Sequence, residues 1–190
     1  MKHEINSQNT KIMLAETLLS LLEKKPISKI TVSEIVNLCD INRKTFYYHF
    51  QDVYDLLEWH LDNEMKKAMD TLNEPFHDLN ATISFSMEYM DKYTYLRNCI
   101  DSPLGRDKIM QFLNKSTFPK ALELVNELER RHNKTLEPDF KQFLAKTMTH
   151  ITVISIIDAI ENGNGFDIEQ MKRYASVMID ASIEGFFQSL

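Results

Sequence analysis

Hydrophobic positions along this chain recur at helical spacing, and no stretch alternates as a strand would. Between Asn9 and Glu23, the residues Ile12, Ala15, Leu18, Leu19 and Leu22 fall on one side of a helix. Lys24 and Lys25 close it near its negative end, and Pro26 lies just beyond. Thr31-Val-Ser-Glu34 has the spacing of a capping box, in which the Thr hydroxyl takes one exposed amide and the Glu carboxylate reaches back to another. The short helix that follows offers Val32, Ile35, Val36 and Leu38 for packing, until Cys39-Asp40-Ile41 interrupts it. Asn42 can cap a second short helix running to about His49. Asp52, with Asp55 in capping-box position, starts a longer helix through Leu56, Trp59 and Leu61 toward Leu72.

After Glu74-Pro75 the pattern stays helical, with segments expected at about 77–91, 93–100, 105–115, 118–132, 137–162 and 167–189. The short link Asn162-Gly-Asn-Gly165 makes the last two antiparallel neighbours. Within 143–160, Phe143, Leu144, Met148, Ile151, Val153, Ile154, Ile156, Ile157 and Ile160 cover more than one helix face. A helix apolar over most of its circumference is buried on two sides, and the second side can be another subunit. The expected fold class is therefore all-α.

Composition narrows the picture. With 43% hydrophobic residues the 190-residue chain can bury a substantial core, while four Gly and five Pro leave too few turns for an all-β fold. Cys39 and Cys99 make no disulfide framework, and Met1–Lys11 is polar, unlike a signal peptide. The most apolar run, Ile151–Ile160, contains Asp158 and falls short of the ~18 residues a membrane span needs. A cytoplasmic protein without a membrane partner is expected. The first 50 residues hold seven Lys/Arg against five Asp/Glu, a balance of +2, and the rest hold 15 against 23, or -8. The mildly basic N-terminal quarter and the acidic remainder suggest parts with different partners.

Residues 31–50 carry the chemistry. Two short helices joined by a turn of about four residues make a helix-turn-helix, with Val32, Ile35, Val36, Ile41, Phe46 and Phe50 spaced to pack it together. The outer face of the second helix shows Arg43, Lys44, Thr45, Tyr47, Tyr48 and His49. Arg and Lys suit guanine O6 and N7, a Thr methyl suits thymine, and hydroxyls suit phosphate.

Residues from about 9 to 57 resemble the DNA-binding domain of the TetR family of bacterial transcriptional regulators, through Thr31-Val-Ser-Glu-Ile35 and Thr45-Phe-Tyr-Tyr-His-Phe50. The resemblance covers about a quarter of the chain. It implies that Arg43 and Lys44 read base edges, that Tyr47 meets a base or a phosphate, and that Thr31, Thr45 and His49 face phosphates. Ser33 points toward the same groove, Asn42 sits at the helix start, and Tyr48 lies between groove and solvent. Two departures stand out: Asp40 replaces the usual turn Gly, and Val53 replaces a Lys common at the start of the fourth helix. Asp tolerates the left-handed conformation such a turn needs.

By resemblance, residues 1–55 form the DNA-binding domain and 56–190 an effector-response and dimerisation domain. A homodimer would form through 137–162 and 167–189, and a two-fold dimer calls for a palindromic operator of double-stranded DNA. Repression, relieved or modulated by an unknown small-molecule or protein effector, is the direction the resemblance implies. The aromatic and Met residues of 75–132, among them Phe76, Phe85, Met87, Tyr89, Tyr93, Tyr95 and Phe112, are either an effector pocket or an ordinary core.

Other chemistries fit less well. Glu74-Pro-Phe-His77 and Glu129-Arg-Arg-His132 have the spacing of di-metal helical bundles, but the first precedes a Pro and the second lies in a charged run. There is no Gly-x-Ser-x-Gly string and no P-loop, and Gly163-Asn-Gly165 reads as a helix connector. No catalytic residue, cofactor or metal is expected. The remaining alternative is a helical protein-interaction module that has lost DNA binding. Lys2, His3 and Lys11 could form a basic arm, although a frayed, solvated terminus is the plainer expectation.

Overall fold

The computed structural model describes residues 2–71, 95–132 and 135–162, together with isolated positions between 173 and 188. Among the described residues every regular element is helical. The helices are α1 (Lys2–Leu22), α2 (Val32–Leu38), α3 (Arg43–His49), α4 (Val53–Thr71), α5 (Leu96–Cys99), α6 (Pro103–His132) and α7 (Pro138–Asn162), with a 3-10 turn at Ile27–Lys29. The expected helix 77–91 lies outside the described residues. So does most of 167–189, where the described positions from 173 to 188 are helical.

The chain divides into two compact units, one of residues 1–73 and 94–112, the other of 74–93 and 113–190. In the first, α1 packs on α4, α2 and α5, and α2 packs on α3. Leu14, Leu18 and Leu22 of α1, Ile35 of α2, Phe46 of α3 and Leu56 and Leu57 of α4 are all fully buried. Of the apolar stripe read from the first helix, Ala15, Leu18 and Leu22 are core, Ile12 and Leu19 are half-buried, and Leu14 and Leu21 complete the buried face. α1 starts earlier than expected, at Lys2, so the polar N-terminal residues prolong the helix.

The end of α1 also differs from expectation. The Lys25 side chain does not serve its helix end; its ammonium pairs with both Glu34 oxygens at 2.7 Å. The Leu21 carbonyl accepts from the Lys24 and Lys25 amides, both at 3.0 Å, and the Leu22 carbonyl is met by a side chain distant in sequence, Asn98 of α5, whose Nδ2 donates to it at 2.6 Å. Ser28 donates to Asp101 nearby, at 3.1 Å. On α4, His60 is buried and its Nε2 lies 3.1 Å from the Tyr95 hydroxyl. At the corner between α5 and α6, a Cβ on Gly105 would stand 1.9 Å from the Cys99 carbonyl oxygen, so only glycine fits there. Burial pushes the Cys99 thiol pKa upward, which makes it a packing residue.

One helix replaces two expected ones. The segments 105–115 and 118–132 are a single helix of 30 residues with Pro119 inside it. Proline in a helix interior costs about 3 kcal/mol because it removes one amide and crowds the preceding turn. Packing offsets that cost in the second unit, where Ala121, Leu124 and Val125 of α6 form a core with Leu136 and with Leu144, Ala145 and Met148 of α7. Glu129 clamps the intervening turn by accepting from the Leu136 amide at 2.7 Å and from the Lys141 ammonium. These bonds hold its carboxyl below the usual range, the Lys141 bond first.

α7 is long and apolar enough, by length and composition, to cross a membrane, although the shorter run Ile151–Ile160 alone is not. Leu144, Ala145, Met148, Val153, Ile156 and Ile157 are nevertheless buried inside the protein. Phe143, Ile151 and Ile154 are exposed on the same helix. Among the described residues, the side of α7 that carries Phe143, Ile151 and Ile154 stays exposed.

Candidate nucleic-acid interface

The region 31–50 is built by three side-chain caps. Thr31 is extended and its Oγ1 accepts from the Glu34 amide at 3.2 Å, which starts α2. The expected return arm of the box is absent, because Glu34 is drawn to Lys25. Asn42 starts α3, its Oδ1 accepting from the Thr45 amide at 2.8 Å and from the Thr45 hydroxyl at 3.1 Å. Asp52 starts α4 by accepting from the Asp55 amide at 2.8 Å, while Asp55 accepts from the Gln51 amide at 2.8 Å. The return bond of this second box thus reaches the residue before the cap.

The turn between α2 and α3 runs through Asp40, whose φ of 51° lies in the left-handed region. The short Asp side chain is one of the few that tolerates this conformation. The amide of Ile41 donates back to the Val36 carbonyl at 3.0 Å, which closes the turn. Cys39 ties the turn to α1: its Sγ lies 3.0 Å from the Thr17 hydroxyl. Nothing in the local sequence signals that contact.

α3 has seven residues, too few to be stable alone, so its orientation depends on what it buries. Phe46 is fully buried and packs against Phe50 at 5.9 Å between centroids. Phe50 in turn meets Trp59 of α4 edge-on at 5.9 Å. The opposite side of α3 is open. Arg43 and Lys44 are exposed and form no ion pair with any described residue, while Tyr47 and Tyr48 are 53% and 75% exposed. These exposures make the two phenols surface groups rather than core.

The remaining sites expected from sequence are placed as follows. Thr31 and Asn42 are exposed, and Ser33, Thr45 and His49 are half-buried. Because Thr31 accepts from Glu34, its own hydroxyl proton is left to donate outward. The Thr45 hydroxyl donates to Asn42 and is thereby engaged within the cap of α3. His49 stacks edge-on against Tyr48 at 4.9 Å. Its pKa is lowered, first by partial burial and then by the charge of Lys11. The imidazole is therefore mostly neutral at pH 7, a hydrogen-bonding group and not a cation.

Lys11 departs from the picture of a frayed basic terminus. It lies within α1, and its ammonium sits over the rings of Phe50 at 5.8 Å and Trp59 at 5.7 Å. Of the two Glu-x-x-His strings, Glu74–His77 lies outside the described residues, and Glu129 is committed to Leu136 and Lys141. Among the described residues no group of three His, Cys, Asp or Glu could hold a metal ion.

A short capped helix wedged by one aromatic residue, with cations in its first turn and phenols beyond, is the geometry of a helix-turn-helix reader. The class the fold defines is an all-α architecture that contains a helix-turn-helix. No family model matches the sequence. The HTH-type dhaKLM operon transcriptional activator DhaS of Lactococcus lactis subsp. lactis (strain IL1403) is 25% identical over 83 residues, which is 44% of this chain and 44% of that protein. The match thus spans less than half of that relative's length. A solved structure, the dihydroxyacetone kinase operon activator DhaS, superposes with a TM-score of 0.66 at 18% identity, covering 92% of this chain and 96% of its own. At that identity the likeness establishes the fold over nearly the whole chain. Both similar proteins are transcriptional regulators, not enzymes.

Proposed function

We propose that this protein is a sequence-specific DNA-binding transcriptional regulator of the TetR type, acting in the cytoplasm as a homodimer on a palindromic operator. The carrying observation is the open face of α3, where Arg43, Lys44, Tyr47 and Tyr48 are exposed around a fully buried Phe46. In this reading Arg43 and Lys44 read base edges, Thr45 presents its methyl to a base, and Tyr47 and Tyr48 meet bases or phosphates. Thr31, Ser33, Asn42 and His49 approach the backbone. Residues 1–55 supply the reader. Residues 56–190 supply dimerisation and the response to an effector.

The dimer is supported by the apolar side chains that α7 leaves uncovered, Phe143, Ile151 and Ile154. Tyr174 and Val177, in the expected helix 167–189, are also exposed. An effector bound better by one of two spacings of the recognition helices would shift DNA occupancy by that difference in affinity.

The sequence resemblance favours repression. A second reading, activation, is favoured by the names of both similar proteins, each an activator of a dihydroxyacetone kinase or dhaKLM operon. Binding is tested by titrating duplex DNA from beside the gene at two salt concentrations. Tight binding with a steep salt slope supports the regulator, and micromolar binding insensitive to Arg43→Ala counts against it. Deleting the gene in a strain with a reporter on the bound promoter gives the sign: expression rises for a repressor and falls for an activator.

A further inference from the structure

We propose that Lys11 is a DNA-phosphate ligand, an ammonium pre-positioned on an aromatic platform at the end of the recognition helix. This rests on the reading of α3 as the DNA reader and adds to it a residue from α1.

Three observations carry the assignment. The Lys11 ammonium is 5.8 Å from the centre of Phe50 and 5.7 Å from that of Trp59, and those two rings brace each other at 5.9 Å. Phe50 directly follows α3 and is buried, so the platform is fixed in the core and moves with the helix. Second, Lys11 has no carboxylate partner among the described residues, whereas Lys25 is tied to Glu34 and Lys67 to Glu64, both at 2.7 Å. A ring face attracts a cation without neutralising it, so the full charge remains for an incoming anion. Third, the Phe50 ring beneath the Lys11 ammonium lies 6.3 Å from the His49 ring, which places the ammonium near the last residue of α3.

The neighbouring turn cannot supply this charge itself. α4 opens with a buried Val53 that follows Asp52 and lies two positions before Asp55, both carboxylates being engaged as caps. A phosphate approaching the junction of α3 and α4 would meet carboxylates there unless a cation arrives from another element. Lys11 reaches that junction from α1. The aromatic faces lie beneath its ammonium, and the Lys11 side chain as a whole is half-buried, not enclosed.

The test uses the full-length protein and a duplex that it has itself selected from a random library. Binding of the wild type, Lys11→Met, Lys11→Arg and Arg43→Ala is measured by anisotropy at salt concentrations from about 50 to about 200 mM. Removing one phosphate ligand lowers the slope of log affinity against log salt by about 0.9, so the deficit of Lys11→Met should shrink by about 3.5-fold across that range. The deficit should be alike for selected and scrambled duplexes, and Lys11→Arg should restore the wild-type slope. Met keeps an unbranched stem against the rings, and thermal unfolding of each variant monitors folding.

If Arg43→Ala weakens binding while Lys11→Met leaves the slope unchanged, Lys11 is only a brace between helices and the proposal is overturned. A weakening shared by Lys11→Arg and accompanied by a lower unfolding midpoint overturns it as well. If the wild type enriches no duplex, the reading of α3 fails and takes this proposal with it.

Discussion

Both α3 and α7 leave several large side chains on the surface, and the two sets differ in chemistry. On α3 the exposed large groups are Tyr47 and Tyr48, set among Arg43 and Lys44. Each of them ends in a hydrogen-bonding group, and the helix is too short to hold its place without Phe46 and its caps. On α7 the exposed large apolar groups are Phe143, Ile151 and Ile154, interspersed with the exposed polar residues Gln142, Lys146, His150 and Asp158. α7 has 25 residues and a buried face of its own, so its position does not depend on the exposed one. A surface of the first kind suits a wet, charged partner such as DNA. The apolar groups of the second gain by excluding water, as they would against another copy of this helix.

Substitutions should separate the two. The largest effect is expected from Phe46→Ala, because α3 has no other fully buried side chain: stability should fall by about 3–5 kcal/mol, read by urea unfolding. DNA binding should vanish with it. Next, the pair Ile151→Glu and Ile154→Glu should dissociate the proposed dimer, since each buried Ile contributes about 1.5–3 kcal/mol. Sedimentation velocity would show a monomer with helical content intact. A dimer that survived both changes would mean that α7 is not the interface.

Arg43→Ala comes third, costing about 1–3 kcal/mol in operator affinity and relaxing base preference, while Thr31→Ala should weaken all duplexes alike. If the two variants behaved identically, the division of the face into base-reading and phosphate-binding residues would be wrong. Asn42→Ala removes the cap of α3 and should lower stability by about 1 kcal/mol, measured by thermal unfolding.

The smallest effect is one of pH. His60 has its pKa lowered, chiefly by burial; Lys67 also lowers it and Glu64 opposes the shift. The unfolded chain then binds a proton more readily than the folded one near and below the ordinary histidine value of 6.5. The contribution to stability is present above pH 6.5 and fades as the pH falls toward the folded value. Unfolding midpoints should therefore fall as the solution is acidified from about pH 7.5 to about 5.5, and His60→Gln should flatten the profile.

The helix starts are the most legible features of the sequence. Thr31, Asn42 and Asp52 cap α2, α3 and α4 as their spacing predicts, and Asp40 takes the left-handed turn. The face of α3 is legible too, because Phe46 and Phe50 must point inward for a seven-residue helix to pack. Contacts between distant residues are not. Glu34 answers Lys25 instead of its own helix, the Leu22 carbonyl is met by Asn98, and Cys39 reaches Thr17. Lys11 looks like part of a solvated terminus in sequence because the rings beneath it come from Phe50 and Trp59, far along the chain.

By itself, the sequence determined the helical period, the caps and the polarity of each helix face, because these depend on interactions within about four residues. The tertiary structure decided which helix carries which load. It joined two expected helices across Pro119, since the core packing around that residue outweighed the missing amide bond. It set residues 94–112 within the same compact unit as the helix-turn-helix, through Asn98, Ser28 and the His60–Tyr95 pair. Those contacts span 35 to 76 positions, and no local pattern encodes a hydrogen bond whose partner the folded chain alone brings near.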